Sequence, residues 1–214
     1  MFVPSQYREP DVSWMLDLMR ENPLALAASN GPPAQGPFAT HLPVITDPQW
    51  TGQPLSDLAG MHLLGHMNRA NPHWKALDTG TVVLLTFTGP HAYVSPTVYD
   101  ITPAAPTWDF TSVHVHGTVE RIESTEETLD VVQATVQAFE KELGDNWDMT
   151  RSIDYFRKIV PAVGAFRVRV SKAEGMFKLS QEQSTEIRER VVRSFAERGC
   201  TRHAQTAELM NRLP

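Results

Sequence analysis

The feature that most restricts the fold is a series of short apolar or alternating runs separated by turn-forming residues. Gly, Pro, Asn and Asp stand between the runs, which cover residues 24–28, 38–45, 61–67, 82–87, 92–95 and 112–122. Runs of this length with such punctuation are typical of antiparallel strands, whereas a parallel sheet needs a helix between successive strands. The pattern therefore predicts an antiparallel β-barrel or sandwich.

Helical periodicity is confined to a few segments. The clearest covers residues 124–143, where apolar residues recur at 3–4 spacing and Ser124 and Glu127 have the spacing of a capping box. A last strand is expected to begin at residue 163 and to end in a turn at Gly175. The remaining helices are expected at residues 11–23, 152–160, 184–199 and 204–213. The expected fold is α+β, mainly β with peripheral helices, in one domain.

Composition narrows the class of protein. No run approaches the about 18 apolar residues of a membrane span, and the first residues lack the basic start and apolar stretch of a signal peptide. Cys200 is the single cysteine, which fits a reducing cytoplasm and an incidental surface thiol. A net charge of −6 disfavours nucleic acid as the main partner. We therefore expect a cytoplasmic protein that has no membrane partner.

The common signatures of nucleotide binding, zinc binding and serine hydrolysis are absent, so a site has to be sought in polar clusters. The first cluster is GHMNRANPHWK, residues 65–75. Strand alternation lets His66 face a pocket, while Asn71 is expected to cap a short helix that begins at Pro72. Arg69 suits a phosphate or carboxylate because its planar fork binds such groups bidentately. A polar corner without a function is the alternative.

Two further clusters lie at predicted turns and strands. In residues 88–100, Gly89-Pro90 and Ser95-Pro96 are expected to form turns from which Tyr93 and Tyr99 project, either to a flat ligand or into the core.

In residues 105–117, Ser112, His114 and His116 share one strand face. Two histidines at this spacing can share a metal, but no third ligand is visible. A fourth cluster, residues 174–183, holds Lys178 as a lone cation. Together the clusters predict a pocket suited to a flat, anionic ligand, which the residues themselves do not name.

The order of these clusters resembles the PaiB-like family of FMN-binding transcriptional regulators. The segments that carry the resemblance are MFVPSQYREPD, PFATHLPV, GHMNRANPHW, GPHAYVSP, PTWDFTSVHVHG and FKLSQ. They extend from residue 1 to about residue 183. The resemblance implies a split β-barrel, FMN-binding-like, over residues 1–183, with 184–214 as a C-terminal helical extension of the same domain.

Two segments depart from the usual pattern of these regulators. SPTVY puts Val98 where a tryptophan is expected, and PTWDF has Asp109 and Phe110. These variants resemble a branch of the same family, the haem-dependent piperazate synthases. That resemblance implies haem b in the pocket and a homodimer that builds the pocket between subunits. The implied reaction cyclises an amino acid, L-N5-hydroxyornithine, to L-piperazic acid by forming an N–N bond with loss of water.

The resemblance also implies roles for single residues. His66 is the expected axial iron ligand, and the alternatives are His41, His114 and His116. Arg69 and Lys178 are expected to pair with the haem propionates, or with the FMN phosphate if the cofactor is FMN.

Tyr93, Tyr99 and Trp108 are candidates for the pocket wall. Asp109 and His114 are candidates for proton transfer, and Tyr93 is also counted among the catalytic candidates. Three other functions stay open: an FMN-binding oxidoreductase or sensor, a DNA-binding regulator, and a protein that breaks haem down.

Overall fold

The computed structural model describes residues 1–9, 11–32 and 34–213. Its strands close into a barrel in the order β1-β2-β3-β6-β5-β4. The strands are β1 (Leu24–Ser29), β2 (Phe38–Thr46), β3 (His62–Asn68), β4 (Val82–Val94), β5 (Thr107–Ile122) and β6 (Val163–Lys178). Strand β1 pairs antiparallel with β2 and β4, and β3 pairs antiparallel with β2 and β6. The predicted antiparallel barrel with peripheral helices is confirmed.

Two predicted turns are wrong. Gly89-Pro90 lies inside β4, which joins the two runs that were expected to be separate strands, and Gly175 lies inside β6. In both places the absence of a side chain on glycine lets a neighbouring side chain lie close to the strand backbone. A Cβ at Gly89 would lie 2.3 Å from Thr111 Oγ1, and one at Gly175 would lie 2.9 Å from Met15 Cγ.

The helices follow the predicted segments closely. They are α1 (Ser13–Glu21), α2 (Pro72–Ala76), α3 (Pro96–Tyr99), α4 (Thr125–Glu142), α5 (Ile153–Ile159), α6 (Thr185–Glu197) and α7 (Thr201–Asn211). As predicted, Asn71 caps α2 by accepting a hydrogen bond from the backbone N–H of His73. Ser95-Pro96, expected to form a turn, starts α3 with Ser95 as its cap. No helix in the described ranges is long and apolar enough to cross a membrane.

The chain divides into two compact units. The terminal unit comprises Met1–Leu18, Thr88–Val113 and Glu174–Pro214, and the central unit comprises Met19–Phe87 and His114–Ala173. Helices α6 and α7, expected as a C-terminal extension, belong to the terminal unit. The prediction of one domain over residues 1–183 with an extension stays a prediction.

Each unit has its own apolar packing. In the central unit, Leu64 of β3 and Ala165 of β6 are buried in a cluster with Val131 of α4. In the terminal unit, Tyr7 and Met176 are buried together. The α4 packing covers one face of β3 and β6, and this fixes the strand on which His66 stands.

Candidate functional site

A cavity of about 480 Å³ lies in the central unit beside the middle of β2 and the end of β3. Polar and apolar residues line it: Thr40, His41, Leu42, Pro43, His66, Met67, Asn68, Asn71, Ile159, Ala162 and Val163. Its volume falls within the range of about 300–1,000 Å³ that is usual for small-molecule sites. Two of its polar side chains are imidazoles, and the other three are neutral.

His66 is the most distinctive group in this cavity. It stands on β3 opposite Ala165 of β6 and is half-buried. Its Nδ1 is buried and has no hydrogen-bond partner within the described residues. Burial lowers the pKa of His66, which keeps the ring neutral near pH 7. A neutral imidazole carries one nitrogen lone pair, which it can offer to a metal or to a proton donor.

Of the alternative iron ligands, only His41 lines this cavity. His41 is exposed and lies within β2, three residues after its start. His114 and His116 are half-buried on β5 and are not part of the described lining. No group of three or more His, Cys, Asp or Glu residues in the described ranges is arranged to hold a metal ion. The alternative of a shared metal at His114 and His116 therefore gains no third ligand.

Arg69 lies beside the cavity but is held by the backbone. Its amide N–H donates to the Ala162 carbonyl at 2.8 Å, and its Nε donates to the Val163 carbonyl at 2.8 Å. Its guanidinium carbon is 5.5 Å from the centroid of the Trp74 ring. These contacts fix the loop after β3 against the start of β6. The expected pairing of Arg69 with an anionic cofactor stays a prediction.

Sequence reasoning missed a buried polar chain that ends at the cavity wall. His73 of α2 is 1% exposed, and its two ring nitrogens contact Ser29 Oγ at 3.0 Å and Thr40 Oγ1 at 2.9 Å. Asn71 contacts the same Thr40 oxygen. The one local signal in the sequence was the alternation of β2, which places Thr40 and Leu42 on the same face of the strand.

The remaining predicted site residues belong to the terminal unit, and three of them meet there. The rings of Tyr93 and Trp108 are 5.7 Å apart in an edge contact, and both side chains are exposed, at 40% and 53%. The ammonium of Lys178 donates to the Thr107 hydroxyl and, at 3.1 Å, to the Trp108 carbonyl. Exposed aromatic rings beside a held cation form a surface that suits a flat anion.

Tyr99 is buried, at 3% exposure, and burial raises the pKa of its phenol. Its carbonyl accepts a hydrogen bond from Arg190 of α6 at 2.9 Å. This placement favours the core role that was the alternative for this tyrosine over a place in a pocket wall.

Asp109 is fully buried in the terminal unit. Its Oδ2 accepts a hydrogen bond from Ser180 Oγ at 2.7 Å, while Oδ1 is buried with no partner among the described residues. Burial, helped by the charge of Glu182, raises its pKa to about 6, although the Ser180 hydrogen bond and the charge of Lys178 oppose the shift. A carboxyl with no exposed surface does not reach a substrate in this conformation. Its placement gives no support to the predicted direct proton transfer.

Comparison with known proteins supports the family suggested by the motifs. Residues 1–172 match the family model described as "Putative FMN-binding domain". The "Protease synthase and sporulation protein PAI 2" of Bacillus subtilis is 26% identical over 214 residues, which covers 98% of this chain and 96% of that protein.

Two solved structures share the fold. The FAD and haem binding protein from Mycobacterium smegmatis has a TM-score of 0.58 at 16% identity, over 86% of this chain and 78% of that one. The flavocytochrome Anf3 from Azotobacter vinelandii has a TM-score of 0.56 at 16% identity, over 79% and 68%. Identities this low show the split-barrel fold alone. Because the family model matches most of the chain, from residue 1 to 172, the chain belongs to the PaiB-like FMN-binding domain family.

Proposed function

We propose that this chain is a haem-dependent piperazate synthase, which cyclises L-N5-hydroxyornithine to L-piperazic acid. The observation that carries the proposal is His66, a neutral imidazole whose buried Nδ1 has no partner in the described chain and which faces a ligand-sized cavity. The variant segments SPTVY and PTWDF favour this branch over the flavin-binding regulators. The fold is shared with a protein named for both FAD and haem, which is compatible with a haem site in this barrel.

The residues of the cavity fit a haem that takes one imidazole ligand. His66 would supply the ligand, because burial lowers its pKa and keeps the ring neutral. Leu42, Met67 and Ile159 supply apolar surface of the kind that a flat macrocycle covers. His41, in the same cavity, is the second imidazole available to the iron.

The reaction places separate demands on the chain. The amine loses one hydrogen and the hydroxylated nitrogen loses its hydroxyl, so one N–N bond and one water form. The chemistry that a bound haem supplies is Lewis-acid weakening of the N–O bond. The chain has to hold both ends of the flexible substrate together, because proximity supplies much of the rate.

A base has to keep the amine unprotonated while it attacks. Asp109 and His114, the predicted proton carriers, are not part of the cavity lining, so their role stays a prediction. His41 is the exposed imidazole that the cavity does contain, and we propose it as the group that takes this proton.

We further propose that the protein acts as a homodimer. The described lining of the cavity contains no lysine or arginine, whereas the substrate carboxylate and the haem propionates are anionic. A partner subunit would supply the missing cation at the cavity mouth. This arrangement agrees with the dimer implied by the resemblance to piperazate synthases.

An absorption spectrum of the purified protein, taken with and without added haemin, tests the proposal. We expect a Soret band that weakens or shifts in His66→Ala. His62→Ala is the matched control, because His62 lies on the same strand outside the cavity lining and should leave the band unchanged. Conversion of N5-hydroxyornithine to piperazic acid is then measured with the haem-loaded protein. No response to haemin, or equal bands in both variants, would overturn the proposal.

The second candidate is an FMN-binding oxidoreductase or PaiB-like transcriptional regulator. The family description and the similarity to the Bacillus subtilis protein favour it. In that case the purified protein is yellow, fluoresces as a flavin and has no Soret band. A regulator would also retard operator DNA in a salt-dependent gel shift.

A further inference from the structure

A chain of hydrogen bonds runs from the interior of the central unit to the wall of the cavity. His73 is 1% exposed, and its ring stacks on Phe38 with centroids 5.3 Å apart. Its Nε2 lies 3.0 Å from Ser29 Oγ, and its Nδ1 lies 2.9 Å from Thr40 Oγ1. Ser29 is itself buried, at 6% exposure, whereas Thr40 lines the cavity.

Asn71 joins this chain in a defined orientation. Its Oδ1 accepts the backbone N–H of His73 at 3.0 Å, so its Nδ2 is turned to donate to Thr40 Oγ1 at 3.3 Å. Asn71 also lines the cavity. Because an amide nitrogen carries two hydrogens, one N–H of Asn71 remains for a ligand.

Counting hydrogens decides which tautomer His73 adopts. Burial lowers the pKa of His73, so the ring is neutral and carries one N–H. With that hydrogen on Nε2, the buried hydroxyl hydrogen of Ser29 has no acceptor among the described side chains. With it on Nδ1, Ser29 donates to Nε2, His73 donates to Thr40, and the Thr40 hydroxyl hydrogen is left at the cavity. The second arrangement is favoured because an unsatisfied buried donor is costly.

We infer that His73 is a positioning residue, whose ring turns the Thr40 hydroxyl and whose backbone N–H turns the Asn71 amide, so that the two form a pair of neutral donors for a carboxylate oxygen of the bound ligand. Two donors meet at one wall, and no acidic side chain is part of the described lining. This inference rests on the proposed function, which offers two carboxylate sources, the amino-acid substrate and the haem propionates. Hydrogen bonds to a charged acceptor are the stronger class, which suits this role.

Two variants of His73 separate positioning from packing. In His73→Asn the side-chain amide keeps an N–H near the place of Nδ1, while His73→Leu has a similar shape without it. Thr40→Val removes the hydroxyl at the cavity. We expect His73→Leu and Thr40→Val to bind haemin or N5-hydroxyornithine about tenfold more weakly, the loss of one charge-assisted hydrogen bond. His73→Asn should bind within a few-fold of the unaltered protein.

Ligands without the carboxylate identify its source. Haemin is compared with haemin dimethyl ester, and N5-hydroxyornithine with its carboxamide, each by spectral titration. If His73→Leu and Thr40→Val weaken binding of haemin but not of its dimethyl ester, the carboxylate is a haem propionate. If they weaken binding of N5-hydroxyornithine but not of its carboxamide, the carboxylate is that of the substrate. The inference is overturned if His73→Leu and Thr40→Val weaken binding of the esterified or amidated ligands as much as that of the free carboxylates, or if they weaken neither. In both cases a Soret band that depends on His66 leaves the proposed function standing.

The tautomer is measured independently of any ligand. Long-range ¹H–¹⁵N spectra of the protein without haem, assigned through Thr40→Val, should show His73 protonated at Nδ1. Protonation at Nε2 would overturn the inference whatever ligand the cavity binds. The measurement also decides the matter if His73→Leu does not fold. Absence of any haemin response in the unaltered protein overturns the proposed function and, with it, the carboxylate assignment.

Discussion

Asp109 shows how one buried acid changes the dependence of stability on pH. The side chain has no exposed surface, one oxygen bonds to Ser180, and the other has no partner within the described chain. Ser180 itself adopts a left-handed backbone conformation with φ of 61°. The folded protein therefore favours the protonated acid, and burial raises the pKa from 3.8 to about 6.

At the residue scale we predict that Asp109 destabilises the folded protein as pH rises from about 4 to about 6. The folded state holds the Asp109 proton to higher pH than the unfolded state, so stability falls through this window and levels off above it. The loss amounts to about 3 kcal/mol. Asp109→Asn, which cannot ionise, should lack it. Urea unfolding at pH 4.5 and 7.5 measures both proteins, and parallel pH profiles would contradict this prediction.

At the scale of elements, periodicity predicted most strands and helices, but not the roles of certain residues within them. Gly89 and Gly175 looked like turn residues, yet they occur where side chains of distant segments approach the backbone. Only the folded chain shows such an approach. His73 was unpredictable for the same reason, because its position in NPHW does not tell a buried ring from an exposed one.

The predicted capping box of α4 forms only in part, and this gives an element-scale prediction. Ser124 Oγ accepts the backbone N–H of Glu127 at 3.3 Å, but the described contacts include no return bond from the Glu127 side chain. We expect Ser124→Ala to cost about 1 kcal/mol of unfolding free energy and Ser124→Asp to restore it. Glu127→Ala should cost less, since its carboxylate contributes only a favourable charge near the helix start. Chemical denaturation compares them, and equal losses for Ser124→Ala and Glu127→Ala would indicate a complete box.

At the scale of the whole molecule, the order of motifs identified the family, while the arrangement of their residues could not be predicted. His66 lines the cavity that alternation on β3 allowed it to face, but no local pattern assigned Tyr93, Trp108 and Lys178 to the terminal unit. Contacts between residues far apart in sequence decide such grouping. The resemblance supplied the family because it compares the motifs as an ordered set.

Binding of a cofactor to the folded chain should be visible as a gain in stability of the whole molecule. A ligand at about 100 times its Kd stabilises the native state by about 2.7 kcal/mol, which for a chain of this size raises Tm by about 5–10 °C. We expect haemin to raise the Tm of the unaltered protein and of His62→Ala by this amount. His66→Ala should gain markedly less, because it lacks the imidazole that we propose as the iron ligand. Thermal melts at rising haemin concentration measure the three proteins side by side. An equal gain in all three would show that haemin binds elsewhere on the chain, and His66 would lose its assignment as the ligand.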